Sequence, residues 1–504
     1  MEFIQKILKV KSVLFSIMLL LLPVTSEAQH RGDDLSFQGL ADKNELGVRA
    51  TALGNAFTAV PGDLSAIFYN PAGLARLNSI TVSVSGNSYS KDWRENQDYR
   101  PNRYFVTLPF YLEGLYIPKP EDNGKFDHEL AKDTSFIYEV NSPKLGLDPF
   151  SEEAADWVKN QNNFALNNIA AAYPFQIGKN KFVAAVSYNE RYNIVDYDRN
   201  DTYLNPHPGD RRYGDLSRVN GIDTMVVNWS RFTRERTGKI NSIDAALAYT
   251  INETFQLGAA INYQWGSTDD YQNLVRVGSF DLVDENRFRF YYQDVYEEVN
   301  GTSDLSALSY SVGAIATLNK FTLGVNVQLP YTLKREWSYT RTYRDSISNS
   351  TTNSAGTDEL NYPLVLNFGI NFKPVDNFML AFDYETAKFS KAEFNLTSAN
   401  ASALKWVDRN SIRLGIEYSP YDFIAFQAGY KNIPQVFVPD GAAERDRGPE
   451  AVSYTFGLSL NLFFGRIDAA YEIRKLTYYD SYFSNTNYVT ENYSNILFGF
   501  TYSL

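Results

Sequence analysis

"NILFGFTYSL", Asn495 to Leu504, ends the chain with Ile496, Phe498, Phe500, Tyr502 and Leu504 on alternate positions, interleaved with Asn495, Gly499, Thr501 and Ser503. Successive side chains of an extended chain point to opposite faces, so this period-two pattern predicts a strand with one greasy and one small or polar face. The same pattern recurs in Tyr454, Phe456, Leu458, Leu460 and Leu462 against Thr455, Gly457, Ser459 and Asn461. It recurs again in Ile412, Leu414, Ile416 and Tyr418 against Ser411, Arg413, Gly415 and Glu417. In a soluble sandwich the greasy face would turn inward, so alternation alone leaves the wet side undecided.

The charges decide it. In this register one face is nearly free of charge, while the other collects Asp244, Asn262, Gln264, Asp383, Glu385, Arg413, Glu417, Asp468, Glu472 and Arg474. An Arg or Lys facing lipid at mid-depth costs about 2 to 4 kcal/mol, so a membrane barrel must segregate its charges in this way. A sandwich would have to bury the charged stripe or leave the aromatics wet. The turns agree. Short polar connections fall near Gly178 to Lys181, Asn252 to Thr254, Asn319 to Lys320, Lys373 to Asn377, Ser419 to Asp422 and at Gly465, and the connections between them are longer and polar. Six tight inner turns, with both ends of the barrel on the inner side, require seven outer loops and fourteen strands. The expected fold is an all-β transmembrane antiparallel β-barrel of fourteen strands in the bacterial outer membrane. The first strand, centred near Val82, is the least defined, and Tyr89 to Asn163 reads as a long first outer loop with room for further β-structure.

The beginning of the chain reads as an export signal: Lys6, Lys9 and Lys11, an apolar run from Val13 to Leu22, then Pro23 and Ser26-Glu27-Ala28, so residues 1–28 are expected to be removed. The whole chain carries a formal charge of -12, and loss of the signal's three Lys and two Glu makes it one unit more negative. With no basic block, nucleic acid is excluded as a partner. Cys is absent, which removes disulfides, thiolate metal sites and Cys nucleophiles. The 36 Tyr and 34 Phe suit strands that meet a membrane boundary, where amphipathic rings lie between lipid and water.

A fourteen-stranded ring leaves a bore that leaks unless something fills it. Residues 29–78, ahead of the barrel at 79–504, include the non-alternating, Ala- and Gly-rich "NELGVRATALGNAFTAVPGDLSAIFYNPAGLARLN". Leu46 to Ala59 suits a helix. Asp63 suits the cap of a short turn running to Tyr69, which Pro71 stops at Asn70. Within this stretch Gly47-x-Arg49, Gly54-x-Ala56-Phe57, the acidic residue ahead of Ser65-Ala66, and Asn70-Pro71-Ala72-Gly73-Leu74 resemble the N-terminal signature of the FadL/TodX family of outer-membrane transporters for hydrophobic compounds. The resemblance covers about thirty residues; beyond them the likeness is one of architecture and length. It implies an N-terminal helical hatch folded into the lumen, with Asn70, Pro71, Ala72 and Gly73 at its gate.

It also implies passive uptake of a hydrophobic small molecule, a long-chain fatty acid or an aromatic hydrocarbon, captured by outer loops and released sideways into the bilayer. Phe57, Leu64, Ile67 and Phe68 are candidate ligand-binding residues, or simply the residues that pack the hatch against the wall. Asn70 is a gate element or an ordinary turn former. "FVTLPFYLEGLYI", Phe105 to Ile117, is a capture groove or a pair of hairpin strands. The charge-rich segments Asp198 to Asp215 and Pro439 to Glu450 read as solvated surface touching lipopolysaccharide. No metal or cofactor is expected. The three His, at 30, 128 and 207, fall outside the predicted strands and lack ligand spacing, and no Ser carries a nucleophile signature, so catalysis is not expected. The alternative reading is a FadL-like barrel that binds protein, as a shuttle component of a type IX-like secretion system.

Overall fold

A computed structural model describes residues 43–504 except 100–124, 128–146, 208–225, 285–286, 398–405, 440–441, 443 and 483–484. Phe105 to Ile117, His30, His128 and the signal segment lie outside the described residues.

Fourteen antiparallel strands close into a barrel. They are β1 (Thr81–Tyr99), β2 (Trp157–Ile177), β3 (Asn180–His207), β4 (Val226–Thr250), β5 (Phe255–Asp284) and β6 (Arg287–Leu318). β7 runs Phe321–Gln328 and resumes as Tyr331–Arg344; β8 runs Asn349–Tyr362 and resumes as Val365–Val375. The ring continues through β9 (Phe378–Ala387), β10 (Arg409–Tyr421), β11 (Ile424–Pro434), β12 (Glu450–Leu462), β13 (Gly465–Tyr482) and β14 (Asn485–Ser503). Pairing of β1 with β14, from Thr81↔Ser503 to Tyr99↔Asn485, shuts it. Between the two ends of the apolar belt each strand is laddered to both neighbours, the condition for crossing a medium that offers no hydrogen bonds.

The terminal alternation falls as predicted: Ile496, Phe498, Phe500, Tyr502 and Leu504 are exposed on the outer surface, while Asn495 and Leu497 are buried. Two rings of aromatic side chains bound the apolar belt. Near the tight turns, Phe175, Phe182 and Tyr249 stack across β2 to β4, and Tyr421 stacks on Phe423. Toward the other rim, Tyr188 and Tyr263 gather around Trp265. Phe255 to Tyr263 on β5 covers one membrane crossing of about 25 Å, so this is an outer-membrane barrel wearing its greasy face outward.

All six tight turns form where the sequence places them, with left-handed Gly178 and Asn319 in two of them. The other side differs from the expectation. β1 runs on to Tyr99 and pairs with β2 as far as Glu95↔Trp157, so much of the presumed first loop is strand. β5 and β6 are 30 and 32 residues long, about three times a membrane crossing. β5 and β6 stay paired up to Asp284↔Arg287, and the connection after Arg344 is a hairpin tip over Asp345–Ser348 and not a long loop. The polar alternation above the membrane reads as loop in a sequence because neither face there is apolar.

An Ile416→Arg substitution, on the outward face between the two aromatic rings, is expected to destabilise the folded barrel by about 2 to 4 kcal/mol. The measurement is the shift in the urea unfolding midpoint in lipid vesicles.

Candidate functional site

The bore is filled by Gly47 to Leu77. Helix α1 (Val48–Ala52) is shorter than Leu46 to Ala59, because Gly54 and Asn55 turn left-handed at φ 62° each and end it. Asp63 Oδ1 accepts the Ser65 amide at 2.9 Å, ahead of helix α2 (Ala66–Tyr69). Asn70 stops α2 in an extended conformation, and a 3-10 turn follows over Pro71–Arg76. Pro at its first position needs no amide partner, and the Asn70 side chain caps the Ala72 amide at 3.1 Å.

The hatch rides on glycines of the wall, where its backbone touches the strands. A Cβ at Gly313 of β6 would fall 1.9 Å from Asn70 Oδ1, one at Gly258 of β5 would fall 2.3 Å from the Ala72 amide, and one at Gly324 of β7 would fall 2.2 Å from the Thr58 carbonyl. Gly415, Gly429 and Gly457 on β10 to β12 similarly receive Leu53, Gly54 and Ala52. Any side chain at these positions would lift the hatch off the wall.

Enclosed backbone groups need partners, and the wall supplies them. Asp383 Oδ2 accepts the Phe57 and Thr58 amides at 2.9 and 2.8 Å. The Asn70 amide nitrogen reaches the Thr58 carbonyl at 2.8 Å and the wall carbonyls of Ala314 and Val325 at 3.2 and 3.3 Å. Asn70 is therefore both a turn former and a clasp between hatch and barrel. Thr455 accepts from the Gly54 amide and donates to the Ala52 carbonyl, both at 3.0 Å. Arg49 forks onto Glu417 with both bonds at 2.7 Å, and Asp63 bonds Arg466 at 2.7 Å. Burial alone would raise the Asp63 carboxyl, but Arg466 and Arg49 outweigh it and hold the group well below the usual carboxylate range. A depressed carboxylate keeps its stabilising contribution above the unfolded value of about 4 and loses it only on deep acidification.

The apolar hatch residues pack against the wall. Phe57 is fully buried among Ala50, Leu53, Ala56, Val60, Met379 and Ala381. Leu64 and Ile67 lie on an alanine-lined patch of β2 to β5, with Phe68 partly buried beside them. Leu64 and Phe68 also border a small, mostly polar pocket on the hatch with Arg49, Asp63, Arg466 and Asp468.

A larger apolar assembly stands farther up the bore, beyond the hatch. Tyr192, Ile194, Ile240, Leu305, Leu333 and Leu360 project into it, together with Tyr331 and Tyr362, which stack at 4.7 Å and 3°. This pair sits where Pro330 and Pro363 interrupt β7 and β8 side by side, since neither proline can donate to a ladder. The connection after β9 brings Phe389 and Trp406 edge-on to each other and to Tyr362, and Phe394 edge-on to Trp406. Sequence reasoning missed this cluster. Its residues alternate normally but lie on strand above the membrane and on the connection after β9, where only the closed ring shows that they converge.

One seam of the wall lacks its ladder. β2 pairs with β3 only from Asn168↔Asn189 down to the turn. At that level Asn167 is bulged from the β1–β2 register and Arg191 from the β3–β4 register. Above it, side chains span the seam: Asn193 bonds the Tyr89 hydroxyl, the Trp157 indole donates to the Arg199 carbonyl at 2.9 Å, and Lys159 pairs with Glu235 at 2.8 Å. Among the described residues no cluster of His, Cys, Asp and Glu is suited to a metal.

A hatched ring with an aromatic bore defines an outer-membrane β-barrel of the FadL-like fold. The solved structures it resembles include a FadL homologue of Pseudomonas aeruginosa, 14% identical over 92% of this chain and 98% of that one, with a TM-score of 0.59. They also include the P. putida toluene transporter TodX (12% identical, 92% and 99% covered, TM-score 0.52) and the monoaromatic hydrocarbon channel CymD (12%, 93% and 99%, 0.52). Residues 223–433 match a family model described as BamG. Comparison with curated protein sequences finds no match.

Replacing Arg49 with Ala leaves Glu417 facing the hatch without its partner, a change that costs about 3 kcal/mol when such a pair is shielded from water. Gly313→Ala drives a methyl group into the Asn70 clasp. Both variants are expected to raise single-channel conductance in planar bilayers above that of the parent barrel.

Proposed function

We propose that this barrel takes up hydrophobic small molecules, long-chain fatty acids or aromatic hydrocarbons, through a hatch-gated lumen without an energy source and releases them sideways into the bilayer. The observation that carries the reading is the buried aromatic and aliphatic cluster in the bore above the hatch. Each methylene kept from water is worth about 0.8 kcal/mol, so a compound of this kind crosses only along a continuous apolar path. Phe389 and Trp406, which reach the cluster from a loop and not from the wall, are the groups an incoming ligand packs against. The β2–β3 seam supports sideways release at the upper rim of the apolar belt, because above Asn168↔Asn189 parting it breaks side-chain bonds but no backbone ladder. The similar structures of a toluene transporter and a monoaromatic hydrocarbon channel point the same way.

The match of residues 223–433 to a model described as BamG, a different family name, keeps a second reading in view, in which the barrel binds protein and not a small molecule. The two readings separate in detergent. A fluorescent fatty acid is expected to bind the purified chain and to be displaced by unlabelled fatty acid or toluene, and Trp406→Ala is expected to weaken binding several-fold. Absence of displacement by every hydrophobic compound tried would reject uptake in favour of protein binding. Deletion of Asn167 removes the bulge at the seam and is expected to slow whole-cell uptake while leaving binding in detergent unchanged.

A further inference from the structure

Between the alanine-lined patch under Leu64 and Ile67 and the cluster that holds Ile240 and Leu305, the inward face of β3 to β6 turns polar. The ladders set its side chains in two rows. Ser187, Asp244, Asn262 and Ser309 form the lower row, and Asn189, Ser242 and Gln264 the upper. All of them are buried, and the only charge among them is the Asp244 carboxylate, which is fully enclosed.

A buried carboxylate ordinarily has a cation beside it. Among the described residues none reaches Asp244, and four neutral groups donate to it instead. Ser187 bonds Oδ2 at 2.8 Å and Ser242 bonds Oδ1 at 2.6 Å, while the amides of Asn189 and Asn262 take the remaining place on each oxygen. These bonds fill the lone pairs of the carboxylate and leave acceptors over. Asn189 is aimed at Asp244 and fully buried, yet its Oδ1 has no partner. The Gln264 Oε1, joined to the same net through Ser309, has none either. A neutral donor would satisfy the spare oxygens and leave the charge unanswered. A cation answers both.

We propose that Asp244 is the centre of a binding site for a monovalent metal ion, sodium or potassium, ligated by its carboxylate and by the side-chain oxygens of Asn189, Asn262, Ser187 and Ser242. A half-turn of either amide about its last bond puts oxygen where nitrogen donates, and each hydroxyl can turn a lone pair to the same point. The five side chains thus have two arrangements, as donors to the carboxylate or as ligands beside it. Oxygen ligands suit a hard cation, and the charge count selects its valence. One carboxylate balances one positive charge, whereas a divalent ion brings a second charge that no acid of the group answers. The ligands come from β3, β4 and β5, so the ion ties three strands together just above the seat of the hatch. The site serves the wall and stands apart from the uptake reading.

The test follows urea unfolding of the full chain in zwitterionic lipid vesicles, with choline chloride replaced by sodium, potassium or calcium chloride at constant ionic strength. Choline is too large for the site and supplies the ionic background. Sodium or potassium is expected to raise the midpoint. Above half-saturation the folding equilibrium constant should grow about tenfold for each tenfold increase in that ion, as one bound ion requires. The ranking of the two ions reports the size of the site. Asp244→Asn keeps the shape, removes the charge and should lose the response. Asn189→Asp adds a second carboxylate and should move the preference to calcium. A parent chain that responds to neither monovalent ion beyond choline overturns the proposal, whether or not it responds to calcium. An equal response in Asp244→Asn also overturns it, by marking a general salt effect. So does an unchanged monovalent preference in Asn189→Asp, which shows that the charge of these side chains does not set the response.

Discussion

A ring of fourteen strands encloses more space than its own inward side chains fill, and the seating of residues 47–77 in that space is the constraint from which the rest of the structure follows. A segment held inside a bore has little water to satisfy its amides and carbonyls. The wall therefore gives up side chains where the hatch touches it, as at Gly258, Gly313 and Gly324, and supplies polar groups where the hatch backbone turns, as at Asp383 and Thr455. The ion pairs of Arg49 with Glu417 and of Asp63 with Arg466 tie the same segment across several strands. Packing and polar satisfaction reinforce each other, so the hatch has one position.

Above it the bore changes character in two steps. Charged pairs come first, with Arg413 and Arg409 on Glu385, and then aromatic rings that pack mostly on one another. The prolines interrupting β7 and β8 and the connection after β9 build the upper step, and the bulges at Asn167 and Arg191 mark the level where the β2–β3 ladder ends.

Much of the barrel was legible because lipid imposes a rule on the sequence. Ile496 to Leu504 shows apolar residues on one face, and the ten charged and polar positions from Asp244 to Arg474 sit on the other for the same reason. The six tight turns were legible from their turn residues. The hatch was legible as non-alternating sequence, and Asn70 as the residue that stops a helix, since Pro71 forbids it to continue. The wall glycines that receive the hatch were not, because a glycine on a strand face signals close approach only once the approaching backbone is in view. The aromatic cluster was not legible either. Tyr192, Tyr362 and Trp406 are far apart in the chain and meet through ring closure and the connection after β9.

The height of the strands has its own consequence. From Trp265, at the upper aromatic ring, β5 runs nineteen residues further to Asp284, a path of about 60 Å along the strand. The barrel thus continues as a chimney well clear of the bilayer surface. The sugar coat outside an outer membrane is the layer that oily compounds penetrate worst, and a proteinaceous flue of this length would bring its opening to the aqueous side of that coat.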